Sequence, residues 1–278
     1  MALGLSTYAF LWRRTPPEGS ADRGARPEDH AVPNLTDLFD VATQLSCQVF
    51  QVCDVPGLDD ADAAEVAAIA TAAQERSLTL ELGTRGVEPE HLARYLDLAQ
   101  ALDCRLVRSM MSSTRGRPTV AAATAQLREV VPAYAAAGVT LGLETYEQYS
   151  TDELVSVVRS VDDEHLGIVL DPGNCVARLE NPVDVIDKTA PHVVNLHVKD
   201  FAFTRAERTL GFLFAGAPLG EGLLEYDAMC DVLDRHGREV NHVIEHWLPW
   251  QGSYAETCRV EQRWVAAAAG YLQQRHRY

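Results

Sequence analysis

The strongest constraint on the fold is a regular alternation of short apolar runs with longer, helix-like segments. Eight runs rich in Val, Ile and Leu alternate with eight segments of helical periodicity, at about 30 residues per unit. Such runs are typical of buried parallel strands. We therefore predict an α/β chain with a single (β/α)8 TIM barrel, formed as one domain by residues 1–278. A doubly wound open sheet is the alternative, although no G-x-G-x-x-G motif follows any of the runs.

The pattern also predicts where each element begins and ends. The strands are expected at residues 3–8, 48–52, 78–82, 105–110, 139–144, 166–171, 193–197 and 242–245. The helices are expected at residues 35–45, 61–76, 89–102, 119–137, 151–161, 182–189, 226–236 and 253–274. Asn34 or Thr36 would cap the first helix. Residues 11–33 are expected to form a loop on the catalytic side because they follow the first strand, and a second long loop precedes residue 226.

Four consecutive predicted strands end in a carboxylate or an imidazole, namely Glu144, Asp171, His197 and Glu245. A buried carboxylate costs several kcal/mol unless it is paired or coordinated. In a parallel barrel these strand ends meet at the mouth, where active sites lie. We therefore predict a divalent metal site, with Mn²⁺ as the expected ion and Mg²⁺ or Co²⁺ as alternatives. Taken singly, each carboxylate could instead cap the next helix.

The composition narrows the class of partner. Lys and Arg number 24 against 40 Asp and Glu, a net charge of −16, which argues against nucleic acid or an anionic membrane. No apolar run reaches the roughly 18 residues of a membrane span, and no signal peptide is recognised. The six cysteines lack a C-x-x-C pair and indicate reduced thiols. We expect a cytoplasmic enzyme with a small-molecule substrate, and a homo-oligomer remains open.

Several motifs resemble the sugar phosphate isomerase/epimerase family, the xylose-isomerase-like barrels. They are Leu143-Glu144, Leu170-Asp171-Pro172-Gly173-Asn174, Asn195-Leu196-His197-Val198-Lys199-Asp200, Gly216-Ala217-Pro218-Leu219-Gly220-Glu221-Gly222 and Ile244-Glu245. The resemblance implies the same four metal ligands. It also implies that Glu144 and Glu245 flank the substrate and exchange a carbon-bound proton, which makes both candidate catalytic residues.

Further side chains at the predicted mouth suit an acidic sugar. Lys199 follows His197 by two residues and so shares its side of an extended strand. It could bind an anionic group or protonate an enediolate, unless it pairs with Asp200 or Glu221. The arginines could bind a substrate carboxylate or phosphate, or they could form surface ion pairs. The aromatic rings could pack on the sugar, or they could belong to the core. The substrate-binding candidates are Arg85, Arg108, Asn174, Trp247, Trp250 and Tyr8.

The resemblance also bears on the reaction. Ketose 3-epimerases of this family carry a His and an Arg where this chain has Asn174 and Phe203, which argues against that activity. Residues 216–222 and 245–261 look most like members that decarboxylate a 3-oxo sugar acid, the 3-oxo-isoapionate decarboxylases. We hypothesise decarboxylation through a metal-stabilised enediolate. The alternatives are an isomerase or epimerase of a free ketose, a 3-oxo-glycoside β-eliminating deglycosidase subunit, and a sugar- or metal-binding barrel without turnover.

Overall fold

Eight parallel strands close into a barrel in the computed structural model, which describes residues 1–15, 33–206 and 210–276. Around the barrel the order is β1 to β7, then β10, which pairs with β1. This closure confirms the predicted (β/α)8 fold and rules out the open sheet. The barrel strands are β1 (Leu3–Ser6), β2 (Val49–Cys53), β3 (Thr79–Gly83), β4 (Leu106–Ser109), β5 (Thr140–Glu144), β6 (Leu166–Leu170), β7 (Val193–Val198) and β10 (His242–Ile244).

Helices pack around the barrel, and their ends follow local sequence signals. Asn34 caps α2 by accepting the N–H of Asp37, whose carboxylate in turn accepts the N–H of Asn34. Gly138 ends α5 in the left-handed region, with φ +66°. The described helices are α1 (Leu11–Arg14), α2 (Leu35–Gln44), α3 (Ala63–Gln74), α4 (Pro89–Ala101), α5 (Val120–Ala137), α6 (Thr151–Val161), α7 (Pro172–Val176), α8 (Pro182–Thr189), α9 (Tyr226–Arg235) and α10 (Tyr254–Arg275).

The first strand is shorter than predicted, and a helical segment replaces the start of the predicted 11–33 loop. The strand stops at Ser6, whose hydroxyl accepts the N–H of Tyr8 and starts a 3-10 turn over Thr7–Phe10. Helix α1 follows directly, because the Glu261 carboxylate accepts the N–H groups of its first turn. The rest of the predicted loop, residues 16–32, lies outside the described residues.

The segment predicted as a long loop before α9 contains an antiparallel hairpin. Its strands are β8 (Phe201–Arg205) and β9 (Phe212–Gly216). The Asp200 carboxylate fixes its base by accepting four main-chain N–H bonds of 2.8 to 3.0 Å, from Phe201, Gly220, Gly222 and Leu224. The prediction of a loop was wrong here. The buried Asp200 carboxylate accepts main-chain N–H groups that would bind water in an open loop, and so it orders the segment.

The helices and the outer face of the barrel enclose the apolar core. Phe39 of α2, for example, meets Phe50 of β2 edge to face, with ring centroids 5.1 Å apart. Among the described residues no helix is long and apolar enough to cross a membrane. Buried polar side chains lie instead inside the barrel and at its carboxyl-terminal mouth.

Candidate metal centre and active site

The four predicted metal ligands converge at the barrel mouth. Glu144 is the last residue of β5, Asp171 follows β6, His197 lies in β7 and Glu245 follows β10. Each is at most 4% exposed. Each offers a ligand atom, and these atoms all lie within 4.8 Å of one another. The closure of the sheet therefore gathers three carboxylates and one imidazole into a single buried cluster.

The distances within this cluster fit a shared divalent ion. His197 Nδ1 lies 3.5 Å from Glu144 Oε1, 3.6 Å from Glu245 Oε1 and 3.9 Å from Asp171 Oδ2. Such separations are too long for good hydrogen bonds, but they are close to the roughly 3.0–3.6 Å edges between ligands that bind one ion. His197 Nδ1, Asp171 Oδ1 and Glu245 Oε1 have no hydrogen-bond partner among the described residues. These orphaned donor atoms suit a metal.

A hydrogen-bond relay inside the barrel orients His197. Its Nε2 lies 2.9 Å from Gln51 Oε1, and the Gln51 amide donates to Glu81 Oε2 at 3.1 Å. Because an amide oxygen only accepts, His197 Nε2 carries the proton and Nδ1 keeps the lone pair that faces the carboxylates. Asn195 and Asn241 also donate to Glu81, at 2.8 to 3.1 Å. Our sequence reasoning missed this relay, although polar residues inside apolar strands signalled it.

Arg108 lies beneath Glu144 and does not reach freely into the cavity. The guanidinium is 1% exposed, forms an ion pair with Glu144 Oε2 and donates to the Thr84 carbonyl at 3.3 Å. Burial raises the pKa of Glu144, but Arg108 and His197 outweigh it and lower that pKa to about 2. Asn174 also donates to Glu144 Oε1, at 2.8 Å. These contacts hold Glu144 ionised, as a metal ligand requires.

Lys199 lies within the ligand cluster, and neither of its anticipated alternative partners binds it. Its Nζ is 2.6 Å from Asp171 Oδ2 and 3.3 Å from Glu245 Oε2, and it lies 4.1 Å from the centre of the Trp247 ring. Asp200 instead binds main-chain N–H groups. Burial lowers the pKa of Lys199, but the surrounding carboxylates raise it well above its usual value. These carboxylates therefore favour the ammonium form of the side chain.

A cavity of about 110 Å³ opens beside this cluster. Met110 and Leu11 line part of its wall, and sequence reasoning did not single them out. Trp250 lies outside that lining, packed against Trp12 with ring centroids 5.4 Å apart, and is 47% exposed. Phe203 lies half-exposed on β8. The other predicted substrate residues line the cavity together with Lys199 and both glutamates: Tyr8, Arg85, Arg108, Asn174 and Trp247.

Arg85 is the more accessible guanidinium of the cavity. It donates to Asp54 Oδ2 at 2.6 Å and to the Tyr8 hydroxyl at 2.7 Å, through its Nη2. Its side chain is 44% exposed. Asp54 therefore anchors the guanidinium at the rim, where it can meet an incoming anion.

Comparison with known proteins places the chain in a family. The model for the xylose isomerase-like TIM barrel matches residues 39–268. The chain is 44% identical to the 3-oxo-isoapionate decarboxylase of Pectobacterium atrosepticum, over 100% of this chain and 97% of that protein. That relative confirms that the resemblance to this subgroup was correctly recognised.

Solved structures share the fold at lower sequence identity. A D-psicose 3-epimerase from Clostridium cellulolyticum has a TM-score of 0.71 and 15% identity, covering 99% of this chain and 98% of its own. A xylose isomerase-like TIM barrel protein from Mycobacterium smegmatis in complex with magnesium has a TM-score of 0.67 and 20% identity, covering 97% of each chain. These structures show the shared fold, whereas the family match and the 44% identical decarboxylase confirm the prediction of an enzyme. The chain belongs to the xylose isomerase-like TIM barrel family.

Proposed function

We propose that this enzyme is a divalent-metal-dependent decarboxylase of a 3-oxo sugar acid, with 3-oxo-isoapionate as the leading candidate substrate. The observation that carries the proposal is the juxtaposition of two cations, Lys199 and Arg85, with the ligand cluster around one cavity. A 3-oxo acid, in which one carbon separates the ketone from the carboxylate, needs cations to hold the carboxylate and a metal site to polarise the ketone. The name of the 44% identical relative supports the same reaction.

The metal would be held by Glu144, Asp171, His197 and Glu245. Three carboxylates with one imidazole favour Mn²⁺, with Mg²⁺ or Co²⁺ as alternatives. When bound, the ion would supply Lewis-acid polarisation of the substrate ketone. The set contains no thiolate and only one imidazole, so Zn²⁺ is the less suited ion.

Arg85 would hold the substrate carboxylate at the rim. Its Nε and Nη2 are fixed by Asp54 and Tyr8, whereas the described residues give Nη1 no partner. A guanidinium fixed in this way loses little rotamer freedom when an anion binds. Arg108 is occupied by Glu144, so the two arginines have different roles despite lining the same cavity.

Decarboxylation breaks the bond between the carboxylate carbon and the carbon next to the ketone. The electron pair moves into the enolate and CO₂ leaves. Lys199 stabilises the developing negative charge by a hydrogen bond and then donates a proton from Nζ to the carbon. Glu245 Oε2, 3.3 Å from Nζ, orients the ammonium for that transfer, and solvent returns the proton to the amine.

Isomerisation or epimerisation of a free ketose is the second candidate. Two carboxylates that exchange a substrate proton must both lie close to the reacting carbon. Glu144 Oε1 and Glu245 Oε1 lie at similar distances from His197 Nδ1, 3.5 and 3.6 Å, which supports this candidate. Against it, Arg108 holds Glu144 ionised, which makes that carboxyl a poor acid. A β-eliminating deglycosidase subunit and a binding barrel without turnover are further outcomes of the test below.

The test is an assay of the Mn²⁺-loaded protein with 3-oxo-isoapionate and, separately, with free ketoses and 3-oxo-glycosides. We expect CO₂ release from the acid and a loss of at least about 100-fold in kcat for Lys199→Met, a variant of similar length without the proton. Isomer formation from a ketose without CO₂ release would replace the proposal with the second candidate. Glycoside cleavage would indicate the deglycosidase, and a metal-loaded protein inactive on all three would indicate a binding barrel.

A further inference from the structure

We propose a second metal site for Zn²⁺ at the opposite, amino-terminal end of the barrel, formed by Cys230, His242 and His276. Cys230 lies on α9, His242 is the first residue of β10 and His276 directly follows α10. Each offers one ligand atom, and these atoms all lie within 4.8 Å of one another. Three consecutive elements of the chain therefore bring one ligand each to the same point, away from the mouth.

The ligand types and their spacing fit zinc. One thiolate and two imidazoles are donors that Zn²⁺ prefers, in contrast to the oxygen-rich set at the mouth. A Zn–S bond of about 2.3 Å and a Zn–N bond of about 2.0 Å at a tetrahedral angle place sulfur and nitrogen about 3.5 Å apart. Cys230 Sγ lies 3.8 Å from His276 Nε2, within a few tenths of an ångström of that separation. The two imidazole centroids are 5.2 Å apart.

Tyr226 supplies an outer partner of the kind that metal-binding histidines have. Its hydroxyl lies 2.7 Å from His242 Nδ1. With a metal on Nε2, the Nδ1–H group donates to the tyrosine oxygen and fixes the ring. The same hydroxyl hydrogen bonds to Cys230 and opposes the effect of burial, which raises the pKa of that thiol to about 11.

A cavity of about 280 Å³ lies beside these residues, with Met1 and Asp234 in its wall. It gives the ion a route in from solvent and space for a fourth ligand, which is water or the Asp234 carboxylate. A metal here would tie α9 and the end of α10 to the barrel. The inference does not depend on the proposed reaction, because none of the three ligands lines the cavity at the mouth.

Cobalt distinguishes the two sites, because only this one contains a thiolate. We expect the protein loaded with Co²⁺ to show a thiolate-to-cobalt charge-transfer band that is lost in Cys230→Ser. The band should persist in Cys258→Ser, a matched control at another partly buried cysteine, and in Glu245→Gln. Zn²⁺ should raise the Tm of Glu245→Gln, and this rise should disappear when His276→Gln is added.

Zinc content gives an independent measure of the same site. Elemental analysis after equilibration with Zn²⁺ should show one equivalent fewer in Cys230→Ser and in His276→Gln than in Cys258→Ser. Folding of each variant is checked by circular dichroism, and His276→Gln serves if Cys230→Ser does not fold. A wild-type Co²⁺ spectrum without the thiolate band, or a band unchanged in Cys230→Ser, would overturn the proposal.

Discussion

Two parts of the barrel bury carboxylates in opposite ways. In the interior, Glu81 is 3% exposed and accepts hydrogen bonds from Gln51, Asn195 and Asn241. At the mouth, Asp171 and Glu245 are equally buried, yet each keeps an oxygen without a hydrogen-bond partner among the described residues. Burial is therefore common to both places and does not mark a metal site. The oxygens without a donor separate the two places, because a buried carboxylate oxygen that no protein group satisfies suits a cation.

The largest effect is expected at the mouth, from Glu245→Gln. The amide keeps the shape of the side chain but removes the charge that binds the ion, so we expect metal affinity to fall by more than about 100-fold and turnover to fall with it. Isothermal titration with Mn²⁺ and the CO₂ assay measure the two losses. Unchanged Mn²⁺ affinity would mean that Glu245 does not bind the ion and, like Glu81, interacts only with other protein groups.

A second test applies the same substitution in the interior. Glu81→Gln turns one acceptor oxygen into a donor that faces three amide donors, so we expect a loss of about 2–4 kcal/mol in the free energy of unfolding. Because Gln51 then orients His197 poorly, Mn²⁺ affinity should also fall, by about 10-fold. Denaturant melts and metal titration measure the two effects.

The control for the interior test is Asn241→Ala, which removes a partner of Glu81 but leaves Gln51 in place. It should destabilise the protein with little change in metal affinity. If Glu81→Gln and Asn241→Ala weakened the metal equally, the relay through Gln51 would not be the cause, and the distinction between interior and mouth would weaken.

Arg85→Gln tests the rim of the mouth and should have a moderate effect. Loss of the guanidinium should raise KM for the sugar acid by about 10- to 100-fold, with a smaller change in kcat, because the group binds the carboxylate in both ground and transition states. Binding of a neutral ketose should hardly change. Arg128→Gln, on the outer helix α5, is the matched control. An equal effect on neutral and acidic sugars would contradict the role of Arg85.

The smallest expected effect concerns Glu261, a buried carboxylate away from both places, which accepts the N–H groups of Trp12 and Arg13. Burial raises its pKa to about 7 against those hydrogen bonds. Between about pH 4.5 and 7 the folded state holds the proton more tightly than the unfolded state. Stability therefore falls as pH rises, by at most about 1.4 kcal/mol per unit from this group.

Glu261→Gln should remove this component of the pH dependence. The check is the difference in unfolding free energy between wild type and variant, measured in urea across that pH range. A difference that stays constant with pH would show that folding does not raise the pKa of Glu261 and would contradict the prediction.

The barrel and the convergence of its four strand-end side chains were predictable because both depend on simple periodic rules. Short apolar runs specify buried strands, and parallel strand ends must meet at one mouth, so Glu144 and its three companions could be placed together before any coordinates. The 44% identical relative confirms the family. The homo-oligomer, the cytoplasmic location and the residue roles stay predictions.

The side-chain partners could not be read from the sequence. Arg108 lies in a predicted strand and Arg85 follows another, yet one binds Glu144 and the other Asp54. A shift of one residue in strand register reverses which side of the sheet a side chain faces, and the sequence does not specify that register. The β8–β9 hairpin was missed because its strands pair through main-chain hydrogen bonds, and the Asp200 bonds at its base follow no sequence motif.

Lys199 and Asp200 are consecutive residues with different tasks. The first lies among the ligands of the mouth, and the second holds the base of the hairpin through four main-chain bonds. A substitution that moves the hairpin must therefore turn the backbone that carries the lysine. We expect that laboratory selection for new substrates will favour mutations in this hairpin. Such mutations can change the position of the Lys199 ammonium while the four residues of the cluster stay the same.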